Sequence, residues 1–196
     1  MNEPGAYRPF TYFQLMEVTL RELLVEKGVV SEKEVAGAVE AMRARSPERG
    51  AKVVARAWVD ASFKKRLLAD APRCCAELGF EIPGVHLLVM ENTPDVHNVI
   101  VCTLCSCYPR SLLGLPPEWY KSRPYRSRVV REPRAVLREF GLELPGPVQI
   151  RVHDSTADMR YMVLPMRPEG TRDWDEDKLA SIVTRDCMIG VAVPRI

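Results

Sequence analysis

The sequence has little excess charge, few histidines and no long apolar segment. Its 196 residues carry a net charge of +2 and three histidines. This near balance of charge argues against a nucleic-acid or anionic-membrane partner, because such proteins usually present a strongly basic surface. No apolar run approaches the ~20 residues of a membrane span. Residues 1–10 lack the basic segment and apolar core of a signal peptide, so we expect a cytoplasmic protein.

Cysteine is rare except in one short segment. Three of the six cysteines lie in "VCTLCSC", residues 101–107, as Cys102, Cys105 and Cys107. Clustered cysteines in a cytosolic protein often bind metal or do redox chemistry. A structural zinc site normally takes two separated pairs of ligands, and an iron–sulfur cluster takes four thiolates, but no second pair is present. The other cysteines are expected to be buried thiols: Cys74, Cys75 and Cys187.

The apolar pattern predicts an α+β protein, with an N-terminal helical arm over residues 1–48 and a layered α/β domain over residues 49–196. Apolar residues at three- and four-residue spacing predict a helix over 11–27. Ser31 and Glu34 have the spacing of a capping box at the start of a second helix. The apolar stripe of the arm fits two interpretations, a local helical hairpin or an arm that wraps a partner chain.

The larger domain alternates short helices and strands. Asp60 and Asp70 are candidate N-caps of helices within residues 51–80. Short β-branched segments predict strands, and the cysteines fall on a loop directly after the second of them. The predicted strands are 85–91, 97–101, 148–154 and 159–168, and further helices are predicted over 131–141 and 174–186.

The cysteine loop can surround one metal ion by itself. Cys105 and Cys107 supply sulfurs, and the peptide nitrogens of Ser106 and Cys107 lie between them. If both nitrogens bind without their protons, they close unstrained five- and six-membered chelate rings, and Cys102 adds a further sulfur. Three thiolates and two deprotonated amides carry five negative charges, which suits a trivalent ion. One coordination position stays open for water or substrate, as in catalytic metal sites.

The loop resembles the metal claw of nitrile hydratase alpha subunits. The motif "VCTLCSCYP" carries the resemblance, which continues through "LGLPPEWYKSRPYRSRVVREPRAVL", "MRYMVLPMRPEGT" and "LASIVTRDCMIGV". It covers about residues 49–193. The resemblance implies a metal-binding, catalytic domain of a lyase that hydrates a nitrile to the amide, at a non-haem iron(III) or a non-corrin cobalt(III).

The resemblance also assigns roles within the claw, residues 102–107. The implied metal ligands are the sulfurs of Cys102, Cys105 and Cys107 and the peptide nitrogens of Ser106 and Cys107. Cys105 is implied as a cysteine sulfinic acid and Cys107 as a cysteine sulfenic acid. Cys105, Ser106 and Cys107 are therefore the predicted catalytic residues, and the sulfenate oxygen of Cys107 attacks the nitrile carbon or activates a water.

The resemblance extends to the metal and the partners. Thr103 together with Tyr108 is the form associated with cobalt, so we predict one cobalt(III) per chain rather than iron(III). Family members work with a beta subunit, sometimes split over two polypeptides, whose two arginines hold the oxidised sulfurs. No residue of this chain is expected to replace those arginines. Cobalt members also use a small metallochaperone or activator protein.

The sequence departs from the family pattern at two positions. Arg110 follows "CSCYP" where the family usually has Trp, and Met166 stands where Gln is frequent. Tyr108 and Arg110 are candidate substrate-pocket residues. The arginine-rich segment 123–134 is interpreted as a solvated or partner-facing surface. The three histidines are expected to be structural or exposed rather than metal ligands.

Two other functions remain open. The gamma subunit of thiocyanate hydrolase carries the same kind of cobalt claw, and the claw residues alone do not separate it from a nitrile hydratase. The chain also fits a non-catalytic interaction module that binds zinc or iron. The identity of the metal and the state of the cysteines distinguish the module from the enzymes.

Overall fold

Helices outnumber strands in the computed structural model, which describes residues 11–196. The chain divides into a first unit that ends at Met42 and a second unit, Arg43–Ile196. The predicted boundary after residue 48 falls within the first helix of the second unit. The partner-wrapping role of the arm stays a prediction.

The first unit contains two helices, α1 (Tyr12–Glu26) and α2 (Glu32–Arg43). The predicted capping box precedes α2: the Ser31 backbone N–H donates to Glu34 Oε2 at 2.8 Å, and the Glu34 N–H donates to Ser31 Oγ at 3.2 Å. No residue of α1 is buried. Its exposed apolar side chains belong to Tyr12, Phe13, Leu15, Met16, Leu20 and Leu23.

The second unit carries the remaining elements. Its helices are α3 (Pro47–Val59), α4 (Ala61–Ala69), α5 (Ala71–Glu77), α6 (Arg110–Leu113), α7 (Glu118–Lys121), α8 (Arg123–Arg128), α9 (Pro133–Glu139), α10 (Glu176–Ser181) and α11 (Arg185–Ile189). Its strands are β1 (His86–Glu91), β2 (Val96–Val101), β3 (Gln149–Asp154) and β4 (Met159–Leu164). Across residues 11–196, no helix combines the length and apolar character needed to cross a membrane.

The last predicted helix, 174–186, is wrong as a single element. The segment forms two helices, because Thr184 begins a new one: its Oγ1 accepts a hydrogen bond from the Cys187 N–H at 3.4 Å. The predicted strand over 159–168 is also too long. It ends at Leu164, since Pro165 has no N–H to donate to a neighbouring strand. The predicted caps Asp60 and Asp70 are confirmed at α4 and α5.

The strands form two parallel pairs. β1 pairs with β4, with His86 opposite Met159, and β2 pairs with β3. Parallel strands need long crossover connections, and here short helices supply them. The register of the second pair places Val101 opposite Asp154, at the ends of both strands and directly before the claw. The predicted α+β fold, with the cysteines on a loop after a strand, is confirmed.

A buried polar network joins the end of α11 to β2. His97 Nε2 lies 2.7 Å from the Gly190 carbonyl oxygen and must donate to it, which leaves Nδ1 to accept from Asn92 Nδ2 at 3.2 Å. Burial lowers the pKa of His97, so the neutral ring is favoured. On β3, His153 Nε2 donates to Asn98 Oδ1 at 2.8 Å. Both histidines therefore satisfy hydrogen bonds within the fold.

Gly190, directly after α11, lies against the backbone of β2. Its φ of +93° is left-handed, and a Cβ there would lie 2.0 Å from the Asn98 carbonyl oxygen. We expect Gly190→Ala to lower the free energy of unfolding by about 3 kcal/mol, because overpacking adds to the left-handed penalty. Gly79→Ala is the matched control, since its φ is +77° and a Cβ would meet nothing within 4 Å. Chemical denaturation measures both variants; equal losses would contradict the contact.

Candidate metal centre

The claw brings three sulfurs together at the end of β2. Cys102 is buried, Cys107 is half-buried and Cys105 is exposed. The Cys102 and Cys105 sulfurs lie 3.5 Å apart, and the Cys105 and Cys107 sulfurs lie 3.3 Å apart. All three lie within 4.8 Å of one another, as a group that can hold a metal ion.

The sulfur spacing fits one ion with ligands at right angles. At a metal–sulfur distance of about 2.3 Å, ligands at right angles are roughly 3.3 Å apart, whereas tetrahedral ligands are roughly 3.8 Å apart. The observed 3.3 and 3.5 Å are closer to the first value. Since the peptide nitrogens of Ser106 and Cys107 belong to the same short loop, the donor set fits a trivalent cobalt or iron better than a tetrahedral zinc.

Asp154, at the end of β3, holds the first turn of the claw. Its Oδ1 accepts from the Thr103 backbone N–H at 2.9 Å, and its Oδ2 accepts from Thr103 Oγ1 at 2.6 Å. The parallel register that puts Asp154 opposite Val101 creates this contact. Because both carboxylate oxygens accept hydrogen bonds from Thr103, they fix the direction in which the chain leaves Cys102.

Two further side chains hold the claw through its carbonyl oxygens. Tyr120 of α7 donates its hydroxyl to the Cys107 carbonyl at 2.9 Å. Arg126 of α8 donates Nη1 to the Cys105 carbonyl at 3.1 Å and lies 3.5 Å from the Thr103 carbonyl. Arg126 thus contacts the claw, a role that the interpretation of segment 123–134 as a solvated or partner-facing surface did not include.

The thiols of the claw differ in acidity. Hydrogen bonds from Cys107 and Cys102 lower the pKa of Cys105 to about 7. Burial, followed by the contacts with Cys105 and Cys102, raises the pKa of Cys107 to about 12, although the Arg160 guanidinium acts in the opposite direction. The thiol of Cys105 therefore ionises more readily than that of Cys107, because a second negative charge so close to the first is disfavoured.

The claw forms one wall of an open cleft of about 400 Å³. Cys105, Ser106 and Cys107 face this cleft, so the predicted catalytic residues share one surface with the space for a substrate. The side chains that complete the lining are Arg45, Ile82, Pro83, Val85, Leu87, Tyr108, Pro109, Arg110, Ser111 and Arg160.

Both candidate pocket residues lie at the cleft. Tyr108 is buried, its ring packs edge-on against Tyr120 with centroids 5.1 Å apart, and its hydroxyl has no hydrogen-bond partner among residues 11–196. Burial raises the pKa of Tyr108, so the hydroxyl stays protonated. Arg110 is exposed at the start of α6. Met166 lies beside Arg167 and lines two other cavities, so the structure does not bring it to the claw.

Comparison with known proteins identifies the family. The sequence profile described as "Nitrile hydratase, alpha chain" matches residues 11–192. The chain belongs to this family. It is 54% identical over 175 residues to the nitrile hydratase subunit alpha of a Rhodococcus species, covering 88% of each chain.

Other similar proteins are named for two different substrates. The cobalt-containing nitrile hydratase subunit alpha of Pseudonocardia thermophila is 51% identical, with 88% of this chain and 86% of that protein covered. The thiocyanate hydrolase subunit gamma of Thiobacillus thioparus is 47% identical, with 93% and 80% covered.

Solved structures of the family superpose closely on this chain. A recombinant thiocyanate hydrolase with partially modified cobalt centres has a TM-score of 0.90 at 45% identity, covering 95% of this chain and 92% of that one. A doubly substituted Fe-type nitrile hydratase from Comamonas testosteroni Ni1 has a TM-score of 0.89 at 46% identity, covering 93% and 90%.

The structure adds residues that the sequence interpretation missed. Asp154, Tyr120 and Arg126 contact the claw, and Arg160 lies in its cleft. Asp154 carried a usable signal, because it is the last polar residue of a predicted strand and functional side chains gather where strands end. The other three depend on how short helices and β4 dock, which no local pattern in the sequence reveals.

Proposed function

We propose that the chain is the alpha-type subunit of a cytoplasmic nitrile hydratase that uses one cobalt(III). The ligands are Cys102, Cys105 and Cys107 through sulfur, and Ser106 and Cys107 through peptide nitrogen. The observation that carries the proposal is the group of three sulfurs, spaced for a single ion, on the wall of an open cleft. The family membership supports the activity.

The residues of the claw have distinct tasks in this reaction. The metal, when bound, supplies a Lewis acid that polarises the nitrile carbon. Cys102 is buried and anchors the site from the protein side, whereas Cys105 and Cys107 face the cleft. If the Cys107 sulfur carries an oxygen as a sulfenate, that oxygen would take a proton from a water that attacks the nitrile carbon, or would itself add to that carbon. In the second case water would displace the amide from the sulfur, which breaks the original S–O bond and restores the sulfenate. The net reaction adds one water to the nitrile.

Cobalt is the metal that the sequence favours, through Thr103 and the resemblance to cobalt-type claws. Relatives named as cobalt-containing support it, although an Fe-type enzyme has the same fold. Elemental analysis of protein expressed with cobalt and an activator protein tests the assignment, and mass spectrometry of the claw peptide tests oxidation of Cys105 and Cys107. Stoichiometric zinc with three intact thiols would instead support the non-catalytic interaction module.

A beta-type subunit, in one or two polypeptides, is the proposed partner. The relatives are named as subunits, which supports an assembly. The claw is open on the side of Cys105, and the arm displays an apolar row that a partner surface would cover.

Thiocyanate hydrolysis is the second candidate function, and the charge of the cleft favours it. Three arginines, Arg45, Arg110 and Arg160, line the cleft, with no carboxylate among the lining residues. A cleft of one sign concentrates ligands of the opposite sign, so it suits the thiocyanate anion. A neutral nitrile gains nothing from this charge. Paired assays with thiocyanate and a small nitrile separate the two functions.

The side chain of Arg110 tests the charge argument directly. If thiocyanate is the substrate, we expect Arg110→Gln to raise KM for thiocyanate roughly three- to fivefold, the value typical of an exposed ion pair. The KM for a neutral nitrile should stay unchanged. Arg138→Gln is the control, because Arg138 is exposed on a different surface. Steady-state kinetics of the complete complex measures both; an unchanged KM for thiocyanate would contradict a role for this charge.

A further inference from the structure

One cation beside the claw, that of Arg126, has no ion-pair partner among residues 11–196. The Arg126 side chain is only partly exposed, and its Nε is buried without a hydrogen-bond partner among residues 11–196. None of the ion pairs found in that part of the chain includes Arg126. Arg128, on the same helix, instead pairs with Glu132 and Glu139. Even partial burial of an unpaired charge is unfavourable, so the position of Arg126 favours a compensating group nearby.

The acceptor nearest to Arg126 is a carbonyl oxygen whose charge depends on metal binding. Arg126 Nη1 donates at 3.1 Å to the oxygen of Cys105, and this oxygen shares a peptide unit with the nitrogen of Ser106. A peptide nitrogen that binds a metal without its proton spreads negative charge onto the carbonyl oxygen of the same unit. The Cys105 oxygen is therefore neutral in the free chain and negative once Ser106 is a ligand. A charged acceptor makes the bond from a guanidinium about twice as strong.

We propose that Arg126 is a positioning residue for the metal. Its guanidinium supplies the counter-charge for the Cys105–Ser106 peptide in its metal-bound form, and it thereby increases the retention of the ion. This role rests on the proposed function, because it requires a metal bound through the Ser106 nitrogen. It also explains why a half-buried cation lies beside a loop whose five negative donor charges exceed the three positive charges of the proposed ion.

The charge and the hydrogen bond of Arg126 can be separated by substitution. Arg126→Gln keeps a donor without charge, and Arg126→Lys keeps charge without the planar fork. Arg131→Gln is the matched control, because Arg131 is an exposed arginine that donates to a backbone carbonyl, that of Ser127, away from the claw. Thermal unfolding of each variant verifies that the fold is retained.

Competition between the full-length chain and a chromophoric chelator for cobalt(II), the oxidation state that exchanges its ligands readily, gives the affinity of each variant. We expect Arg126→Gln to weaken cobalt binding by about 10- to 100-fold, the range for residues that contact metal ligands. Arg126→Lys should retain most of the affinity and Arg131→Gln all of it. The sulfur-to-cobalt charge-transfer band should move to shorter wavelength in Arg126→Gln alone, because removing a nearby positive charge makes the metal a poorer electron acceptor.

The possible outcomes distinguish the role of Arg126 from the existence of the metal site. Equal affinity of wild type and Arg126→Gln would overturn the role of Arg126, as would a Lys variant as weak as the Gln variant, since the hydrogen-bond geometry alone would then matter. A wild-type chain that holds no cobalt even when expressed with the activator protein would instead overturn the proposed metal site. Weak binding by Arg126→Gln with an unshifted band would also count against the counter-charge.

Discussion

Cys107→Ala is expected to retain less than about a tenth of the wild-type cobalt and to show no nitrile hydration. The substitution removes a sulfur that lies 3.3 Å from Cys105 and faces the cleft. Changes to groups that merely support metal ligands already cost 10- to 100-fold, so loss of a thiolate ligand should cost at least as much. The same change removes the atom that would carry the reactive oxygen, which makes the loss of activity complete even where some metal remains.

The control for this experiment is Cys74→Ala, which deletes a buried thiol in α5 outside the claw. It should keep its cobalt and its turnover and lose only some stability. Elemental analysis and a nitrile assay of the assembled complex measure both variants. Full turnover by Cys107→Ala would show that the claw is not the reaction centre.

Activity is expected to fall to about a hundredth or less when the chain is assayed without its partner. Each preorganised donor at a reaction centre is typically worth a factor of 10²–10³, and the donors that the family resemblance assigns to the partner are absent from an isolated chain. The exposure of Cys105 supports the same expectation, because an open site does not exclude bulk water. Robust turnover by the purified single chain would contradict it.

The arm offers a way to test the partner independently of catalysis. Phe13 and Leu20 of α1 are 79% and 59% exposed, and we expect both side chains to be buried when the partner binds. Phe13→Asp with Leu20→Asp should reduce co-purification of the beta-type subunit by more than about tenfold, since two buried apolar contacts are worth several kcal/mol. Lys33→Asp, on an exposed polar position of α2, should have no effect. Equal recovery of the partner would mean that the arm lies free.

Much of the site was predictable because it is local. The claw residues are neighbours in sequence, and the spacing of Cys102, Cys105 and Cys107 alone indicates chelation of one ion. The strand before them could be predicted from its β-branched residues. The helix caps Asp60 and Asp70 could be predicted from their position before apolar runs. Each of these features depends on fewer than about ten consecutive residues.

The remainder depends on contacts between distant segments. Asp154 reaches Thr103 because β3 pairs in parallel with β2, and the sequence of one chain does not state which strands pair. Arg126 is one arginine among several in its segment, and an arginine is usually solvated unless a docking partner turns it inward. The break at Thr184 could have been predicted from the sequence, because threonine is a residue type favoured at helix N-caps. The apolar residues on both sides of it favoured one continuous helix instead.

The pairing of β2 with β3 has a consequence for the order of events during synthesis. Cys102 leaves the ribosome about 50 residues before Asp154, an interval of several seconds at ordinary rates of translation. Over that interval the three thiols exist without the carboxylate that directs their loop and, at first, without Arg126. The claw therefore takes its final conformation late in translation. Until then its three sulfurs are accessible to oxidants and to other metal ions. The hydrogen bonds from Thr103 to Asp154 form only once the sheet is complete, so the claw reaches its final conformation after the cysteines have emerged.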